Sequence, residues 1–108
     1  MEKQELSRKI LDGIIRRVVE VTEPERIILF GSVARGEMNR HSDVDLLVVK
    51  DAPDLRQLTA KVYRRLYGVG VAVDIVMVTP QDVERYKDSH ALIIKPALRE
   101  GTVIYESA

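Results

Sequence analysis

The sequence predicts an α/β (α+β) fold: a small mixed β-sheet flanked by helices. Three observations lead there. Apolar residues recur at helical spacing between Glu5 and Val21. Three short β-prone runs follow, at Arg26–Phe30, Val44–Val49 and Val71–Val78. Helical patterns stand between and after them, and strands alternating with helices imply layers packed about one sheet. With 108 residues and 45% hydrophobic side chains, the chain is expected to form one domain spanning 1–108.

The first helix is expected over Glu5–Val21. Leu6, Ile10, Leu11, Ile14, Ile15, Val18 and Val19 make its apolar side, while Arg8, Lys9, Arg16 and Arg17 fall mostly on the other. Pro24 separates it from Arg26–Phe30, which reads as a buried strand ending at Gly31. Ser32 to Arg35 is expected to form a brief helical turn closed by Gly36, and Glu37 to Ser42 a polar loop. Val44–Val49 is the second strand. Pro53 and Asp54 then open a helix to about Tyr67, with Leu55, Leu58, Val62 and Leu66 on its apolar face. Gly68 and Gly70 lead into the third strand, Val71–Val78. Thr79-Pro80 has the form of an N-cap followed by proline at the first helical position, and a short helix to about Tyr86 is expected. A last helix, about Ala91 to Glu100, is expected to bend or divide at Pro96. Gly101 stops it, and Val103–Tyr105 is a candidate final strand.

Composition narrows the chemistry. Cysteine is absent, which excludes disulfides and thiolate metal sites; carboxylates and two histidines, His41 and His90, remain as ligands and favour hard cations. Basic and acidic residues number 17 each, so no overall field draws the chain to polyanions, and stable nucleic-acid binding is not expected. The N-terminus lacks signal-peptide character. The longest apolar run, about Val69 to Val78, is too short to span a bilayer and contains Asp74. A cytoplasmic location is expected. One asparagine, three glutamines and many charges resemble heat-adapted compositions.

Carboxylates carry the strongest chemical signal. Strand side chains alternate, so Asp43 and Asp45 project from one face at the mouth of the second strand. Two like charges there repel unless a cation sits between them. Asp74 interrupts Val71-Ala72-Val73-Asp74-Ile75-Val76-Met77-Val78, where burial without a partner costs several kcal/mol. It must find a counter-charge or reach the surface. If the third strand lies beside the second, the three carboxylates meet in an oxygen-rich site suited to magnesium. Singly, each has an ordinary reading: Asp43 as a turn cap, Asp45 as a solvated edge residue, Asp74 as half of a salt bridge.

Gly31-Ser32 follows a strand and opens a turn. Glycine lets backbone approach a ligand closely, and free N–H groups at a helix start attract an anion. An ordinary N-cap serine after a turn glycine is the plain reading of the pair taken alone. Arg35 has two roles open to it, contact with phosphate or neutralisation of the carboxylate cluster.

Gly31-Ser32, ten intervening residues and then Asp43-Val44-Asp45 together resemble the signature of the DNA polymerase β-like nucleotidyltransferases. The strings Phe30-Gly31-Ser32-Val33-Ala34-Arg35-Gly36-Glu37 and Ser42-Asp43-Val44-Asp45-Leu46-Leu47-Val48 look like the minimal nucleotidyltransferases of bacteria and archaea, and Ala97 to Glu106 is similar to that family's usual close. The resemblance implies that Asp43 and Asp45 ligate magnesium, with two ions expected. It implies that Asp74 joins the catalytic ion and helps activate the attacking hydroxyl, and that Gly31 and Ser32 hold the β- and γ-phosphates of ATP. The reaction implied is in-line attack on the α-phosphate with loss of pyrophosphate. An added acceptor domain of the kind found in larger relatives is not expected. The resemblance therefore implies a separate partner, a HEPN-domain ribonuclease toxin, with this chain as the antitoxin that adenylylates its tyrosine. Two other readings stay open: a non-catalytic, nucleotide-binding antitoxin that works by occlusion, and transfer to a small molecule or RNA end.

Other residues carry less. Arg56, Lys61, Arg64 and Arg65 read as a solvated helix face with a partner or phosphate contact as the alternative, and His41 reads as an exposed loop residue. Tyr63, Tyr67, Tyr86 and Tyr105 are expected to pack. A partner interface is expected wherever apolar helix surface stays unburied, the first and last helices being the candidates.

Overall fold

The computed structural model describes residues 8–31, 44–87 and 94–107. Helix α1 spans Arg8–Thr22, and its predicted opening turn from Glu5 lies outside the described residues. Ile14 and Val18, one turn apart, are fully buried, with Ile10, Ile15 and Val19 packed partly around them. In the last turn the Thr22 hydroxyl donates to the carbonyl of Val18 at 2.8 Å, which lets a polar side chain sit buried. Glu23 leaves the helix at φ +46°, and Pro24 prevents its continuation.

Strands β1 (Arg26–Phe30), β2 (Val44–Val49), β3 (Val73–Val78) and β4 (Thr102–Glu106) form one sheet in the order β3-β2-β1-β4. β1 is antiparallel to both β2 and β4, whereas β2 and β3 run parallel, so the sheet is mixed as expected. The parallel step requires a crossover, and helix α2 (Leu55–Leu66) supplies it. Asp54 caps α2 by accepting from the Gln57 N–H at 3.0 Å. β3 begins two residues later than the apolar run suggests, after Gly68 and Gly70 at φ +82° and +105°.

Each face of the sheet has its own core. On one, Ile27, Leu29, Val44, Leu46, Val48 and Ile75 pack against Ile14 and Val18 of α1 and Val62 and Leu66 of α2. On the other, Ile28, Phe30, Leu47, Val49 and Val78 meet Val83 of helix α3 (Pro80–Tyr86) and Ala97 of helix α4 (Ile94–Glu100). β2 is thus a strand buried on both sides beyond Asp45, as its apolar run Leu46–Val49 implies. Each fully buried leucine or valine on it contributes roughly 1.5–3 kcal/mol of transfer free energy.

α3 starts with a capping box: the Thr79 hydroxyl accepts from Asp82 N–H at 3.0 Å, and the Asp82 carboxylate accepts from Thr79 N–H at 3.1 Å. α4 is described from Ile94 and contains Pro96; the bend or division expected there depends on the preceding turn, which lies outside the described residues. The predicted start at Ala91 falls outside the described residues. Gly101 ends α4 against β1, where a Cβ would meet the Ala97 carbonyl and lie 2.6 Å from Ile28 Cγ2. No described helix is long and apolar enough to cross a membrane.

Candidate functional site

The register of the sheet determines what meets at its mouth. β2 and β3 are parallel, and Asp45 lies directly opposite Asp74, both being second residues of their strands. Asp45 alternates with Leu47 and Val49, and Asp74 with Val76 and Val78. Both carboxylates therefore emerge on the face that carries α3 and α4. The backbone bond from Val44 N–H to the Ala72 carbonyl, 2.9 Å, holds the two strand entrances together just below the pair.

β1 arrives from the opposite direction. Phe30 pairs with Asp45, and Gly31 follows at φ +79°, a left-handed conformation suited to glycine. A Cβ built on Gly31 would collide with Asp45 Oδ2 and lie 3.2 Å from its Cγ. The glycine predicted to approach a ligand therefore packs against a predicted metal ligand, with nothing but its own missing side chain making room.

Asp74 resolves the cost of a carboxylate in an apolar strand by reaching solvent: it is exposed, at the start of a strand on the sheet's edge. Asp45 is half-buried. With strands about 5 Å apart, two such charges repel by roughly 1 kcal/mol in water-like surroundings. A divalent cation held between them would reverse the sign of that interaction. Paired hard oxygen donors beside a glycine cradle fit magnesium, and softer metals find no thiolate in this chain.

Thus the structure joins Gly31, Asp45 and Asp74. Asp43, Ser32, Arg35 and His41 lie outside the described residues. Among the described residues no group of three acidic or histidine side chains is gathered for metal binding.

Two tyrosines depart from expectation. Tyr86 and Tyr105 pack against the cores, but Tyr67 is 90% exposed and Tyr63 42% exposed. The Tyr63 hydroxyl accepts from the backbone N–H of Ile75 at 2.8 Å, next in sequence to Asp74. It occupies an outward-pointing donor on an edge strand and ties α2 to the site's margin. Helical spacing gives no sign of this, because the bond depends on where α2 crosses β3. Arg56, Lys61, Arg64 and Arg65 are exposed, as read from the sequence. Apart from these tyrosines, the large exposed hydrophobic side chain among the described residues is Val103 on β4.

Comparison with known proteins agrees with this geometry. The family model described as "Polymerase beta, Nucleotidyltransferase" matches residues 13–108. Two Methanocaldococcus jannaschii proteins, named as candidate protein adenylyltransferases, are similar in sequence. MJ1305 is 43% identical over 63 residues, covering 53% of this chain and 43% of its own length. MJ0141 is 53% identical over 34 residues, covering 31% and 34%. The matches span less than half the length of these curated relatives. Among solved structures, a toxin–antitoxin crystal structure with AMP-PNP superposes with a TM-score of 0.67 at 19% identity, over 89% of this chain and 73% of that one. A nucleotidyltransferase candidate from Sulfolobus solfataricus does so with a TM-score of 0.52 at 20% identity, over 95% and 92%. At such identities the structural likeness speaks for the fold, and the family match rests on the sequence. A mixed sheet with paired aspartates at its mouth and a family match over nearly the whole chain lead to one assignment: the chain belongs to the polymerase β nucleotidyltransferase family.

Proposed function

We propose that the chain is a magnesium-dependent nucleotidyltransferase that moves AMP from ATP to a hydroxyl on a partner protein, a tyrosine of a HEPN-domain toxin. The observation that carries this reading is the in-register pair Asp45 and Asp74 with Gly31 packed against the first. The names of the two archaeal relatives support adenylyl transfer to protein. The toxin–antitoxin structure with AMP-PNP supports both the partner class and the nucleotide.

In the proposed reaction Gly31 and Ser32 offer backbone and hydroxyl donors to the β- and γ-phosphates. Arg35 contacts phosphate or balances the carboxylates. Asp43, Asp45 and Asp74 would hold magnesium, which when bound neutralises phosphate charge and aligns the attacking and leaving oxygens. The acceptor oxygen forms a bond to the α-phosphorus as the bond to the bridging oxygen breaks. Pyrophosphate leaves with that electron pair, and the exposed Asp74 carboxylate accepts the hydroxyl proton.

The test is transfer of label from α-labelled ATP to the co-expressed partner in the presence of magnesium. Labelling that disappears in Asp43→Asn/Asp45→Asn, with the fold intact by circular dichroism, supports the proposal. Equal labelling by the double variant refutes the site. Neutralisation of the partner by an inactive variant would favour occlusion, and label found only on RNA or a small molecule would change the acceptor class.

A further inference from the structure

A formal net charge of zero conceals a separation of charge that the fold brings out. Helices α1 and α2 each carry four basic side chains, against two acids on α1 and none on α2. The remainder of the chain holds the compensating acidic surplus. Both helices cover the same face of the sheet, opposite the face from which Asp45 and Asp74 emerge. The two acids of this layer are already engaged: Asp12 with Arg8 at 3.8 Å and Glu20 with Arg65 at 2.7 Å. Among the described residues, Lys61 and Arg64 enter no ion pair and are exposed.

Within this basic layer stand the two tyrosines that do not pack. Tyr63 and Tyr67 are four residues apart, one turn along α2 and its C-cap, so they lie on one side, with Arg64 on the adjoining one. The Tyr63 ring is held by its bond to Ile75 N–H. Arg17 extends along the same end of α2, its guanidinium 3.4 Å from the carbonyl oxygens of both Arg65 and Tyr67. The result is an exposed surface on which the cations Lys61 and Arg64 adjoin a flank carrying the exposed Tyr63 and Tyr67.

We propose that this surface, Arg17, Lys61, Tyr63, Arg64 and Tyr67, binds single-stranded nucleic acid. Phosphates would follow the cations, and an unstacked base would lie on the Tyr67 ring, an interaction open to any base. A second copy of the chain is a poor occupant, because a two-fold contact through α2 would set Lys61 and Arg64 against their own equivalents. An acidic protein segment would satisfy the charges but leave the tyrosine rings without a stacking partner. The surface does not rest on the proposed transferase activity, since it lies on the other side of the sheet.

The test is fluorescence anisotropy of the full chain with end-labelled 12-nucleotide oligo(U) and oligo(dT), from 25 to 200 mM salt. With three or four phosphate contacts the log–log slope is about −2 to −3, so affinity falls roughly 20–50-fold between 50 and 200 mM. Lys61→Glu/Arg64→Glu should weaken binding at least about 10-fold and flatten the slope. Tyr67→Ala should weaken it about 5-fold or more while leaving the slope in place. If the charge reversal disturbs folding by circular dichroism, Lys61→Gln/Arg64→Gln should still reduce the slope by roughly 1.4. Absence of binding to both oligomers at 25 mM salt overturns the proposal, as does a slope unchanged in the glutamine variant. So does equally tight binding of poly-L-glutamate with no effect of Tyr67→Ala, which would identify an acidic protein as the partner. Asp45→Asn, which alters only the opposite face, should bind both oligomers like the parent.

Discussion

Gly31 and Gly68 allow backbone strain to be separated from damage to the site. Both have nearly the same left-handed φ, +79° and +82°. A Cβ at Gly68 meets nothing within 4 Å, whereas at Gly31 it collides with the Asp45 carboxylate. Alanine at either position carries the left-handed penalty of roughly 1–2 kcal/mol. For a domain of this size that lowers Tm by roughly 5–15 °C. The Asp45 carboxylate is the end of a side chain and can retreat, so Gly31→Ala adds little further loss of stability. It does add a displacement of about 1 Å at a proposed metal ligand, and misplacement on that scale costs on the order of 100-fold in rate. The assay pairs thermal melts with single-turnover transfer from ATP, at a temperature where both variants are folded. Similar Tm losses should accompany a transfer rate reduced about 100-fold in Gly31→Ala and within about 2-fold of the parent in Gly68→Ala. Equal rates for the two alanine variants would refute the idea that Gly31 makes room for a working carboxylate.

Other perturbations test the remaining links. Magnesium with ATP at ten times its Kd should stabilise the parent by about 1.4 kcal/mol in a thermal melt. That gain should vanish in Asp45→Asn and Asp74→Asn, and retention of the full shift by either would remove that residue from the site. Gly101→Ala forces a methyl group against the Ala97 carbonyl and to within 2.8 Å of the Leu29 carbonyl, so a loss of roughly 1–3 kcal/mol in denaturant unfolding is expected. Leu46→Ala, in the fully buried centre of β2, should cost about 2–5 kcal/mol. Breaking the half-exposed Arg65–Glu20 pair by Arg65→Ala should cost at most about 1 kcal/mol, so a larger effect there would mean the pair matters more than its exposure suggests.

The sheet's strands were legible because their signals are local. Val44–Val49 is apolar at every residue except Asp45, which only a strand covered on both faces accommodates. Thr79-Pro80 specified its helix start completely, since a cap and a fixed φ act within one turn. The effect of Pro96 was less legible, because it depends on where the helix begins. At the site, alternation along each strand was readable, but the alignment of Asp45 with Asp74 was a matter of pairing across 29 residues. It had to be supposed from the sequence and is seen in the register. Least legible was the exposure of Tyr67 and the bond of Tyr63 to β3. Both depend on how α2 crosses the sheet, and an aromatic residue on a helix reads as core until its surroundings are known.

The most direct test is a crystal grown with manganese and AMP-PNP, with the metal located by its anomalous signal. The account predicts a peak bonded to carboxylate oxygens of both Asp45 and Asp74, with the triphosphate beside Gly31. A peak elsewhere on the chain, or nucleotide seated away from that end of the sheet, would contradict it.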